Sequence, residues 1–594
     1  MRDLRAFLDV LRREGELVEI DAEVDPNLEI AEVHRRVIAA NGPALLFRRP
    51  KNADFPVVTN LFGTRRRVEL AFGQRANDVI REVAALPHEL MPPSLGRLWG
   101  KRDLFWKLGR VGMKHVNGAP VTGVVERPAR LSRIPLLTCW AQDGGAFVTL
   151  PLVYTEHPET GVHNLGMYRI QRHDDTTTGV HWQIGKGGGF HYGVAEAKNQ
   201  ALPLNLFVGG PPGLIVSAIA PLPENVPELL LASLLVGERL RRGANPAGPL
   251  PLVADCEFAI VGTVPPHVRR PEGPFGDHYG YYSLQHDYPI LQVEAVCHRK
   301  DAIWPATVVG KPRQEDFYIG DFLQELLSPL FPVVMPAVRD LWSYGETGYH
   351  ALSAAVVHER YGREALASAF RILGEGQLSL TKFLLVLDQP MALRDFKPVL
   401  EHVLARFRPE TDLYLFAHLS MDTLDYAGPK VNEGSKGLLV GVGPAVRELP
   451  RRYSGDVSVG VTDVRVYCGG CLVVEASAWV DEPDAGARLA TAFPGWPLVV
   501  LVDDAAMATR SDARFLWTTF TRFEPAADVH GERRLVRNHV SFSGSVLIDA
   551  RMKPHYPGEL YCDPDTAAVV SRRWAEYFPA GKVEMGNSDD AHLD

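Results

Sequence analysis

The chain has 594 residues, of which 46% are hydrophobic and 23% charged, and it bears a net charge of −9. This composition is ordinary for a globular protein of several domains, and the acidic balance gives no indication of binding to nucleic acids or anionic membranes. Six cysteines in so long a chain do not make a disulfide framework, which favours a reducing, cytoplasmic setting. Because we find no apolar run of about 18 residues, we expect no transmembrane span and at most peripheral membrane contact.

Residues 1–115 predict a small α/β domain. Apolar residues recur at helical spacing near the N-terminus, and a short alternating run follows them. The stretch 87–93 is rich in Pro and Leu and is predicted to be a loop. The predicted elements are a helix over 3–15, a strand over 17–20, a helix from Asp25-Pro26-Asn27 to about Ala39, and strands near 44–47 and 57–59.

Residues 116–315 predict a small barrel or sandwich, because short strand-like runs alternate with Gly and Pro clusters. One helix interrupts them, with Asn225 as N-cap, Pro227 in its first turn and a Leu stripe that runs to about Arg241. The predicted strands are 121–125, 147–154, 164–171, 181–184, 204–208, 214–218, 257–263 and 292–297.

The C-terminal half predicts an α/β region with an internal repeat, and residues 383–387 predict a buried strand. The stretch from Leu385 to Asp412 and the stretch from Leu501 to Asp528 share Met, Arg, Arg-Phe, Pro and Asp residues at one constant offset, which sets Asp388 against Asp504. Each copy predicts a βαβ-type unit, and two such units predict a parallel, doubly wound sheet. The predicted copies are 316–450 and 451–575, followed by a tail, 576–594.

Two carboxylates, Glu272 and Asp277, are five residues apart in a stretch whose intervening residues are Gly, Pro, Phe and Gly. Those residues bar both a regular helix and a central strand, so we predict a tight turn. Such a turn can direct both acids to one point, as general acid–base catalysis requires. The alternative is an ordinary Gly-Pro turn with two solvated acids.

Further candidate residues precede this turn. In the strand-like run from Asn164, the residues Asn164, Gly166 and Tyr168 share one face, and Arg169 points to the other. Arg binds carboxylates through two parallel hydrogen bonds, although an Arg at a barrel rim can equally pair with a surface acid.

A Gly-rich stretch, 185–189, follows His181-Trp182 and holds Lys186. Its backbone could bind a phosphate, yet the Ser/Thr of a P-loop is missing and a simple turn is the alternative. Glu228 lies in the first turn of the Leu-rich helix, where the helix dipole favours an acid, or where an acid and Asn164 could hold a divalent cation. The lone motif Cys468-Gly469-Gly470-Cys471 is predicted to be a structural turn.

Four motifs together resemble the UbiD family of decarboxylases, and their order and separations also match. They are Asn164-x-x-Met167-Tyr168-Arg169, the loop from Trp182 to Gly189, Leu222-Pro223-Glu224-Asn225-Val226-Pro227-Glu228, and Glu272-Gly-Pro-Phe-Gly-Asp277. The likeness spans residues 1 to about 450, with the second repeat copy as an extension. It implies a small N-terminal α/β unit, a central split β-barrel that resembles flavin reductases, and a C-terminal α/β region.

The resemblance implies prenylated FMN, a flavin with a fourth ring, as cofactor. It also implies a divalent ion, usually Mn²⁺, with K⁺ or Na⁺ nearby, which bridges the cofactor phosphate to the protein. By position, Asn164 and Glu228 match the metal ligands, and Arg169, Glu272 and Asp277 match the catalytic set, with Asp277 as proton donor. The positions that match cofactor contacts are Met167, Tyr168, Arg169, His181, Trp182, Gln183, Lys186 and Gly187.

The sequence departs from the family at one metal-binding position. Many relatives have a His before the Lys of the glycine loop, and here that residue is Gly185. Either His181 or His191 takes its place, or a water completes the metal shell. The family's Lys near the flavin lies in a Gly-Ser-Lys stretch, which Gly434-Ser435-Lys436 matches, so we assign Lys436 to the cofactor.

The implied reaction is the reversible, non-oxidative decarboxylation of an aromatic or α,β-unsaturated acid. Loss of CO2 from an sp² carbon leaves a carbanion that cannot delocalise, so a cofactor must accept the electrons. Arg169 would orient the carboxylate and Asp277 would protonate the carbon. We expect burial and the neighbouring carboxylate to raise at least one pKa of the Glu272–Asp277 pair, against the effect of Arg169.

The substrate and partners are also predicted from the resemblance. The stretches 318–321 and 341–346 and the added repeat resemble a longer branch, associated with menaquinone synthesis, that acts on a dihydroxynaphthoate. Phenolic acids such as 4-hydroxybenzoate are the alternative, and a reductase with ordinary FMN or a flavin-binding scaffold are rivals that leave Arg169 and the two acids without a role. A flavin prenyltransferase would supply the cofactor, and a homodimer or homohexamer is expected.

Overall fold

The computed structural model describes residues 1–594 except 74, 92–93, 183–185, 223–226, 456–457, 582, 588, 590–592 and 594. The chain divides into two compact units, which are described separately. The first comprises Met1–Leu326 with Glu559–His592, and the second comprises Leu327–Gly558 with Leu593–Asp594. Over the described ranges, no helix is both long enough and apolar enough to cross a membrane.

The first unit begins with a four-stranded sheet in the order β1-β2-β3-β17 and six helices. The predicted N-terminal helix is confirmed, because its four apolar residues are buried and Asp3 accepts a hydrogen bond from the backbone of Ala6 at 2.9 Å. The elements are α1 (Leu4–Arg13), β1 (Leu17–Val24), α2 (Glu29–Ala39), β2 (Ala44–Pro50), β3 (Val57–Thr59), α3 (Arg65–Phe72), α4 (Arg75–Glu89), α5 (Leu95–Gly100), α6 (Arg102–Leu108) and β17 (Trp304–Pro305).

The stretch 87–93, predicted as a loop, is partly helical, which corrects that prediction. Helix α4 continues through Pro87 to Glu89, and residues 92–93 lie outside the described residues. Val79 and Ile80 are buried on one face of this helix. Although Pro87 lacks a backbone donor, the last turn is closed by a hydrogen bond from the backbone of Leu90 to the carbonyl of Leu86 at 2.9 Å.

An antiparallel sheet of ten strands forms the centre of the first unit. Its order is β6-β9-β10-β16-β14-β11-β7-β8, and β5 and β15 also pair with β16. Strand β16 therefore pairs with four strands along its 13 residues. The strands are β5 (Val124–Glu126), β6 (Phe147–Val148), β7 (Leu152–Glu156), β8 (His163–Gly166), β9 (Ile170–Arg172), β10 (Thr177–Val180), β11 (Leu202–Val208), β14 (Phe258–Val264), β15 (Arg269–Glu272) and β16 (His286–His298).

Several predictions for this region are wrong. Strand β10 ends at Val180, so His181 and Trp182, the described part of the predicted strand 181–184, lie outside any strand. Residues 214–218, predicted as a strand, lie in the buried helix α8 (Pro212–Ile219), because a short apolar run does not distinguish a buried helix from a strand. The helix expected to reach Arg241 is α9 (Glu228–Val236), and it ends where Gly237 adopts a φ of +83°. Arg241 lies instead in a three-stranded sheet, and Asn225, the predicted cap, falls outside the described residues. That sheet has β4 (Met113–His115), β12 (Leu240–Gly243) and β13 (Leu252–Val253); the remaining helices are α7 (Gly187–Ala197) and α10 (Glu315–Leu327).

The segment from Glu559 onward belongs to the first unit. Its helix α18 (Pro564–Tyr577) lies against α2, where Arg36 Nη2 donates to the carbonyl of Ala567 at 3.0 Å. The Tyr577 hydroxyl donates to Glu29, and Val570 shares an apolar core with Ile30. The N-terminal α/β part is therefore completed by residues from the far end of the chain.

The second unit has two five-stranded sheets with the same plan. Their orders are β18-β19-β20-β22-β21 and β23-β24-β25-β27-β26, and in each sheet three parallel central strands lie between two antiparallel edge strands. The prediction of a parallel sheet is thus corrected to mixed sheets. Each edge strand and its partner are consecutive in the chain and joined without a crossover α-helix, which gives antiparallel pairing.

The elements of the second unit confirm the predicted buried strand over 383–387 and place Cys468 and Cys471 at the ends of a hairpin. Gly469 and Gly470 form its two-residue turn, so the predicted structural turn is confirmed, and both cysteines are free. The elements are α11 (Phe331–Val334), β18 (Val338–Ser343), β19 (Leu352–Val357), α12 (Glu364–Gly374), β20 (Phe383–Leu387), α13 (Phe396–Arg406), β21 (Leu413–Ser420), β22 (Glu433–Gly441), β23 (Val461–Cys468), β24 (Cys471–Ala476), α14 (Ala485–Leu489), β25 (Leu498–Val502), α15 (Ala505–Ala508), α16 (Asp512–Thr521), α17 (Pro525–Asp528), β26 (Val529–Val536) and β27 (His539–Asp549).

Candidate active site

A tight turn follows Glu272, the last residue of β15, as its Gly and Pro residues predicted. Gly273 has a φ of +90°, a backbone conformation that residues with a Cβ rarely adopt. A Cβ on Gly276 would lie 2.1 Å from the ring of Trp140, so only glycine allows this part of the turn to pack on the indole. The glycines therefore set both the direction of the turn and its closeness to the core.

Two side chains outside the turn hold it in place. Gln171 Oε1 accepts a hydrogen bond from the backbone of Gly273 at 2.8 Å, and Asp143 Oδ1 accepts one from Gly276 at 2.8 Å. Burial raises the pKa of Asp143 to about 6, although three backbone donors oppose that change. Neither residue was singled out from the sequence, since each acts through the backbone of a distant segment.

Arg169 contacts both acids of the turn. Its Nε and Nη2 donate to Glu272 at 2.8 and 2.9 Å, and its Nη1 donates to Asp277 Oδ2 at 2.6 Å. Ser283 Oγ accepts a further bond from Nη2 at 2.9 Å. The Arg169 side chain is 8% exposed, that of Asp277 11% and that of Glu272 0%, so the ion pairs are shielded from water. The structure thus brings Arg169 into contact with two acids that are each more than 100 positions away from it in the sequence.

Both acids of this cluster are held ionised. Burial opposes ionisation of Glu272, but the charge and hydrogen bonds of Arg169 outweigh it and lower the pKa of Glu272 to about 2. Burial likewise opposes ionisation of Asp277, and the contacts with His278 and Arg169 lower its pKa well below the usual value. We expected at least one raised pKa in this pair, and that expectation is wrong because a cation contacts each acid directly.

Two histidines extend the cluster. His181 Nδ1 lies 3.0 Å from Glu272 Oε2, and His278 Nδ1 lies 2.7 Å from Asp277 Oδ1. Burial and the charge of Arg169 lower the pKa of His181, so its imidazole is neutral at physiological pH. His278 was missed in the sequence, although it directly follows Asp277 and an imidazole is the commonest proton-transfer group.

A second cluster lies on the other side of the strand that precedes Arg169. Strand β8 ends at Gly166 and β9 begins at Ile170, so the single predicted strand is two. The ring of Tyr168 lies over Gly166, where a Cβ would meet its hydroxyl at 2.2 Å, and that hydroxyl accepts a hydrogen bond from the backbone of Gly188 at 3.3 Å. Because a Cβ on Gly187 would meet Asn164, the residues Asn164, Gly166 and Tyr168 lie together near the start of α7.

The Gly-rich stretch begins a helix rather than forming a loop. Lys186 is the N-cap residue of α7, and Gly187 is its first residue. A Cβ on Gly187 would lie 2.1 Å from Asn164 Oδ1, and a Cβ on Gly188 would lie 2.7 Å from Trp182 Nε1. The glycines thus allow the N-terminus of α7, which favours anions, to approach both polar side chains.

Buried polar atoms in this second cluster have no partner among the described residues. They are Asn164 Nδ2 and Trp182 Nε1. Glu228 stands at the start of α9, and its Oε2 accepts a bond from the backbone of Leu165, next to Asn164, at 3.1 Å. Burial raises the pKa of Glu228. Unsatisfied buried polar groups are costly, so this cluster has the character of a ligand site.

Three predicted positions cannot be placed in this cluster. Gln183 and Gly185 lie outside the described residues. Lys436 belongs to the second unit, where its Nζ donates to the carbonyl of Thr381 at 2.8 Å. Burial lowers the pKa of Lys436 to about 8, against the charges of Asp425 and Asp422. Met167 is half-buried beside Tyr168.

Within the part of the chain that the structure describes, no group of three or more His, Cys, Asp or Glu side chains could hold a metal ion. Of the two candidate replacements for a histidine at position 185, His181 contacts Glu272, and His191 Nδ1 lies 2.9 Å from Thr155 Oγ1. Thr155 pairs with Asn164 across β7 and β8. His191 is therefore on the Asn164 side of the sheet, and His181 belongs to the acid cluster.

Three family models match the chain. They describe the N-terminal, Rift-related and C-terminal domains of 3-octaprenyl-4-hydroxybenzoate carboxy-lyase (UbiD), at residues 8–86, 114–312 and 317–440. A Chlamydia trachomatis protein is 51% identical over 583 residues, 98% of this chain and 100% of its own. A Chlamydia pneumoniae protein, named as one of the subunits of a 4-hydroxybenzoate decarboxylase, is 50% identical over 587 residues, 98% of this chain and 99% of its own.

Solved structures share the fold. The closed form of vanillic acid decarboxylase from Sedimentibacter hydroxybenzoicus has a TM-score of 0.67 and 24% identity, and covers 77% of this chain and 96% of that chain. HmfF from Pelotomaculum thermopropionicum, an evolved dimeric form in complex with prFMN, has a TM-score of 0.61 and 23% identity, and covers 76% of this chain and 97% of that chain. With the family models and the two chlamydial relatives, these matches agree on one assignment, and the chain belongs to the UbiD family of carboxy-lyases.

Proposed function

We propose that this protein reversibly decarboxylates an aromatic or α,β-unsaturated carboxylic acid, without net oxidation and with prenylated FMN as cofactor. The observation that supports this most is the buried Arg169, whose guanidinium contacts Glu272 and Asp277 at 2.6–2.9 Å. A carboxylate-binding cation beside two ionised acids suits a substrate that must be oriented by its carboxylate and then protonated.

The second cluster fits the phosphate end of such a cofactor. Asn164 and Trp182 present buried donors without partners among the described residues, and α7 begins with three residues that lack a Cβ. Lys186 and Gly187 at that N-terminus would receive the phosphate. The residues that would hold the flavin are Met167, Tyr168, Arg169, His181, Trp182, Gln183, Lys186 and Gly187, and the assignment of Lys436 stays a prediction from the resemblance.

Asn164 and Glu228 would hold a divalent cation, Mn²⁺ in this proposal, next to the phosphate. An amide oxygen and a carboxylate are suitable ligands for a hard cation, and a cation would counter the effect of burial on Glu228. Bound prenylated FMN would accept the electron pair that the departing CO2 leaves behind.

Arg169 would bind the substrate carboxylate while Glu272 keeps the guanidinium oriented from its buried side. Nε and Nη2 of Arg169 donate to the two carboxylate oxygens of Glu272 as one bidentate pair, which fixes the plane of the guanidinium. The substrate carboxylate therefore meets hydrogen-bond donors that are already oriented. Because Arg169 itself is anchored by Glu272, small movements of the substrate do not displace it.

Asp277 would deliver the proton to the carbon that loses CO2. In the structure its low pKa keeps it ionised, so protonation requires a change in its surroundings. A substrate carboxylate at Arg169 adds a negative charge and competes for the guanidinium, and both effects raise the pKa of Asp277. His278 Nδ1, at 2.7 Å from Oδ1, would pass a proton to Asp277 and recover one from solvent, since its side chain is 25% exposed.

Two candidate substrates are each favoured by one observation. A 4-hydroxybenzoate-type phenolic acid is favoured by the name of the chlamydial relative at 50% identity. A dihydroxynaphthoate of menaquinone synthesis is favoured by the stretches 318–321 and 341–346. An ordinary FMN reductase would leave the Arg169 cluster without a role, so we rank it third.

The proposal includes the domain plan. Residues 1–115 form the N-terminal α/β domain, 116–315 the split barrel that binds the cofactor, and 316–450 and 451–558 two copies of one unit. The segment from Glu559, which the sequence assigned to the second copy up to 575 and to a tail over 576–594, completes the first unit instead. The common strand order and strand sense of the two five-stranded sheets support the duplication. A flavin prenyltransferase would supply the cofactor in the cytoplasm, and the enzyme would assemble as a homodimer or homohexamer.

Reconstitution with prenylated FMN or with FMN tests this function. The full-length protein loaded with prenylated FMN and Mn²⁺ is expected to release CO2 from at least one acid in a panel of phenolic and naphthoic acids, while the FMN-loaded protein is inactive. Reduction of FMN by a nicotinamide donor without CO2 release from any acid in the panel would contradict the proposal and favour the reductase.

A further inference from the structure

Met91 and residues 94–110, which we name the aromatic patch, include an exposed apolar surface of the first unit. Five large apolar side chains in it are 41–87% exposed, and they are Met91, Leu95, Trp99, Phe105 and Trp106. No other tryptophan in the described part of the chain is exposed to this extent. Single exposed apolar residues are normal, but a group of five so close in sequence indicates a contact surface.

The aromatic residues are not needed by the core of their own helix. In α6, Leu104 is 3% exposed and Leu108, one turn further, is half-buried, so these two form the inward face. Lys107 Nζ lies 3.2 Å from Glu82 Oε1 and ties the helix to α4. Phe105 and Trp106 are therefore held outward by a helix that is already anchored.

The patch is cationic, in contrast to the chain as a whole. Residues 94–115 include six Lys or Arg and one Asp, whereas the whole chain has a net charge of −9. The Arg110 guanidinium lies 3.7 Å from the ring centre of Trp106, and that of Arg102 lies 5.9 Å from the ring centre of Trp99. Each exposed indole thus has a cation beside it, the combination typical of surfaces at a membrane interface.

A cavity of about 450 Å³ adjoins the patch and is also cationic. Arg110, Lys114 and Arg239 line it together with Glu238, Gly109 and Gly237. Arg239 Nη2 donates to the carbonyl of Gly109 at 3.0 Å, which joins the cavity wall to the end of the patch. Three cations against one acid, in a cavity of this size, suit a singly or doubly charged anion such as a phosphate headgroup.

We infer that the aromatic patch and this cavity form a docking surface for an anionic phospholipid bilayer. Trp99, Phe105 and Trp106 would enter the boundary between headgroups and acyl chains, and the cavity would receive a lipid phosphate. Indole rings favour this boundary because they are apolar over most of their surface and have one polar N–H. The net charge of the chain gave no indication of such a partner because it averages over all residues, whereas a bilayer meets one face.

Flotation of the full-length protein with lipid vesicles tests the inference. Wild type is expected to float with vesicles of phosphatidylcholine mixed with phosphatidylglycerol, to stay unbound with phosphatidylcholine alone, and to be released by salt. The double substitution Arg110→Gln/Lys114→Gln is expected to lower the partition coefficient roughly 25-fold, because each cation near an anionic surface contributes about fivefold.

The second variant is Trp99→Ser/Trp106→Ser, which should weaken binding at every salt concentration because it removes the apolar contribution. The matched controls are Tyr361→Ser and Lys430→Gln, which change an exposed aromatic residue and an exposed cation elsewhere and should bind as wild type does. Circular dichroism and the thermal midpoint verify that each variant is folded.

Two results would overturn the inference. Wild type that does not float with phosphatidylglycerol vesicles contradicts it directly. If the Trp99→Ser/Trp106→Ser variant instead converts a larger assembly into a smaller one by light scattering, with no vesicle binding by wild type, the patch joins copies of this chain.

Discussion

The cluster around Arg169 and the cluster around Asn164 differ in whether their buried polar atoms form hydrogen bonds within the chain. Around Arg169, the guanidinium donates to Glu272, Asp277 and Ser283 at 2.6–2.9 Å. Around Asn164, two buried donors, Asn164 Nδ2 and Trp182 Nε1, have no partner among the described residues. An unpaired buried group costs about 1–3 kcal/mol, so we propose that a ligand completes the second cluster, whereas the guanidinium of Arg169 already has its acceptors within the chain.

His181 belongs to the first cluster. Its Nδ1 contacts Glu272, and its Nε2 is buried without a partner within the described ranges. Arg169 and the two acids are thus held in place by contacts within the chain, whereas we propose that a ligand satisfies the polar atoms around Asn164. Substitutions in the first cluster should therefore change stability and chemistry, and those in the second should change ligand retention.

Arg169→Gln should have the largest effect. It leaves Glu272 and Asp277 buried without their counterion, and breaking a buried ion pair from one side costs about 3–5 kcal/mol. We expect a lower unfolding midpoint and decarboxylation below detection in the protein loaded with prenylated FMN. Arg172→Gln, three residues along and half-buried, is the control, and equal losses in both variants would contradict the special role of Arg169.

Gly187→Ala should separate the second cluster from the first. The new Cβ would lie 2.1 Å from Asn164 Oδ1 and displace that side chain, so we expect retention of flavin and metal to fall about 10–100-fold. Gly193→Ala in the same helix is the matched control, because no atom lies within 4 Å of its Cβ. Flavin absorbance after gel filtration measures the difference, and similar retention in the two variants would argue against a phosphate site at this helix.

Ser283→Ala should perturb the first cluster moderately. Ser283 Oγ accepts from Arg169 Nη2 at 2.9 Å and from the backbone of Phe275 at 3.1 Å, so its removal leaves two buried donors with fewer acceptors. We expect a loss of about 1–3 kcal/mol in the free energy of unfolding. Flavin retention should stay at the wild-type level, and a selective loss of flavin would show that the two clusters are not separable in this way.

The smallest effect concerns pH. Because the pKa of Glu272 is about 2 instead of 4.5, its ionisation stabilises the fold above pH 4.5, and that contribution is lost as pH falls toward 2. Wild type and Glu272→Gln should therefore differ most in unfolding midpoint near neutral pH and converge on acidification. A constant difference between them across this range would mean that Glu272 is not held ionised by Arg169.

Local sequence patterns predicted the amphipathic helix α1, the strand over 383–387 and the glycine turn after Glu272. They failed where tertiary packing decides the outcome. The apolar residues of α8 predicted a strand, because a short apolar run does not distinguish a buried helix from a strand. The glycines at the start of α7 predicted a loop, because glycine disfavours helices unless neighbouring groups require close approach.

The candidate site was predicted mainly through the resemblance to a family and less through spacing. Nothing in the local pattern places Arg169 against residues more than 100 positions away, because that contact depends on the pairing of β15 with β16 and of β9 with β10. The sequence did not indicate Gln171 and Ser283, because Gln and Ser are ordinary residues in strands and turns. It did not indicate His278 either, although this residue directly follows Asp277. The pKa of the acid pair was mispredicted since direct contact with cations outweighs burial at these distances.

Deuterium incorporation by Asp277→Asn tests the central claim most directly. The variant and the control Asp287→Asn, an exposed acid on β16, are loaded with prenylated FMN and incubated in deuterated buffer with the acid that wild type decarboxylates and with its product. The account predicts that Asp277→Asn retains the flavin but incorporates no deuterium at the ring carbon, while Asp287→Asn matches wild type. Deuterium incorporation and CO2 release by Asp277→Asn at rates near those of wild type would contradict it.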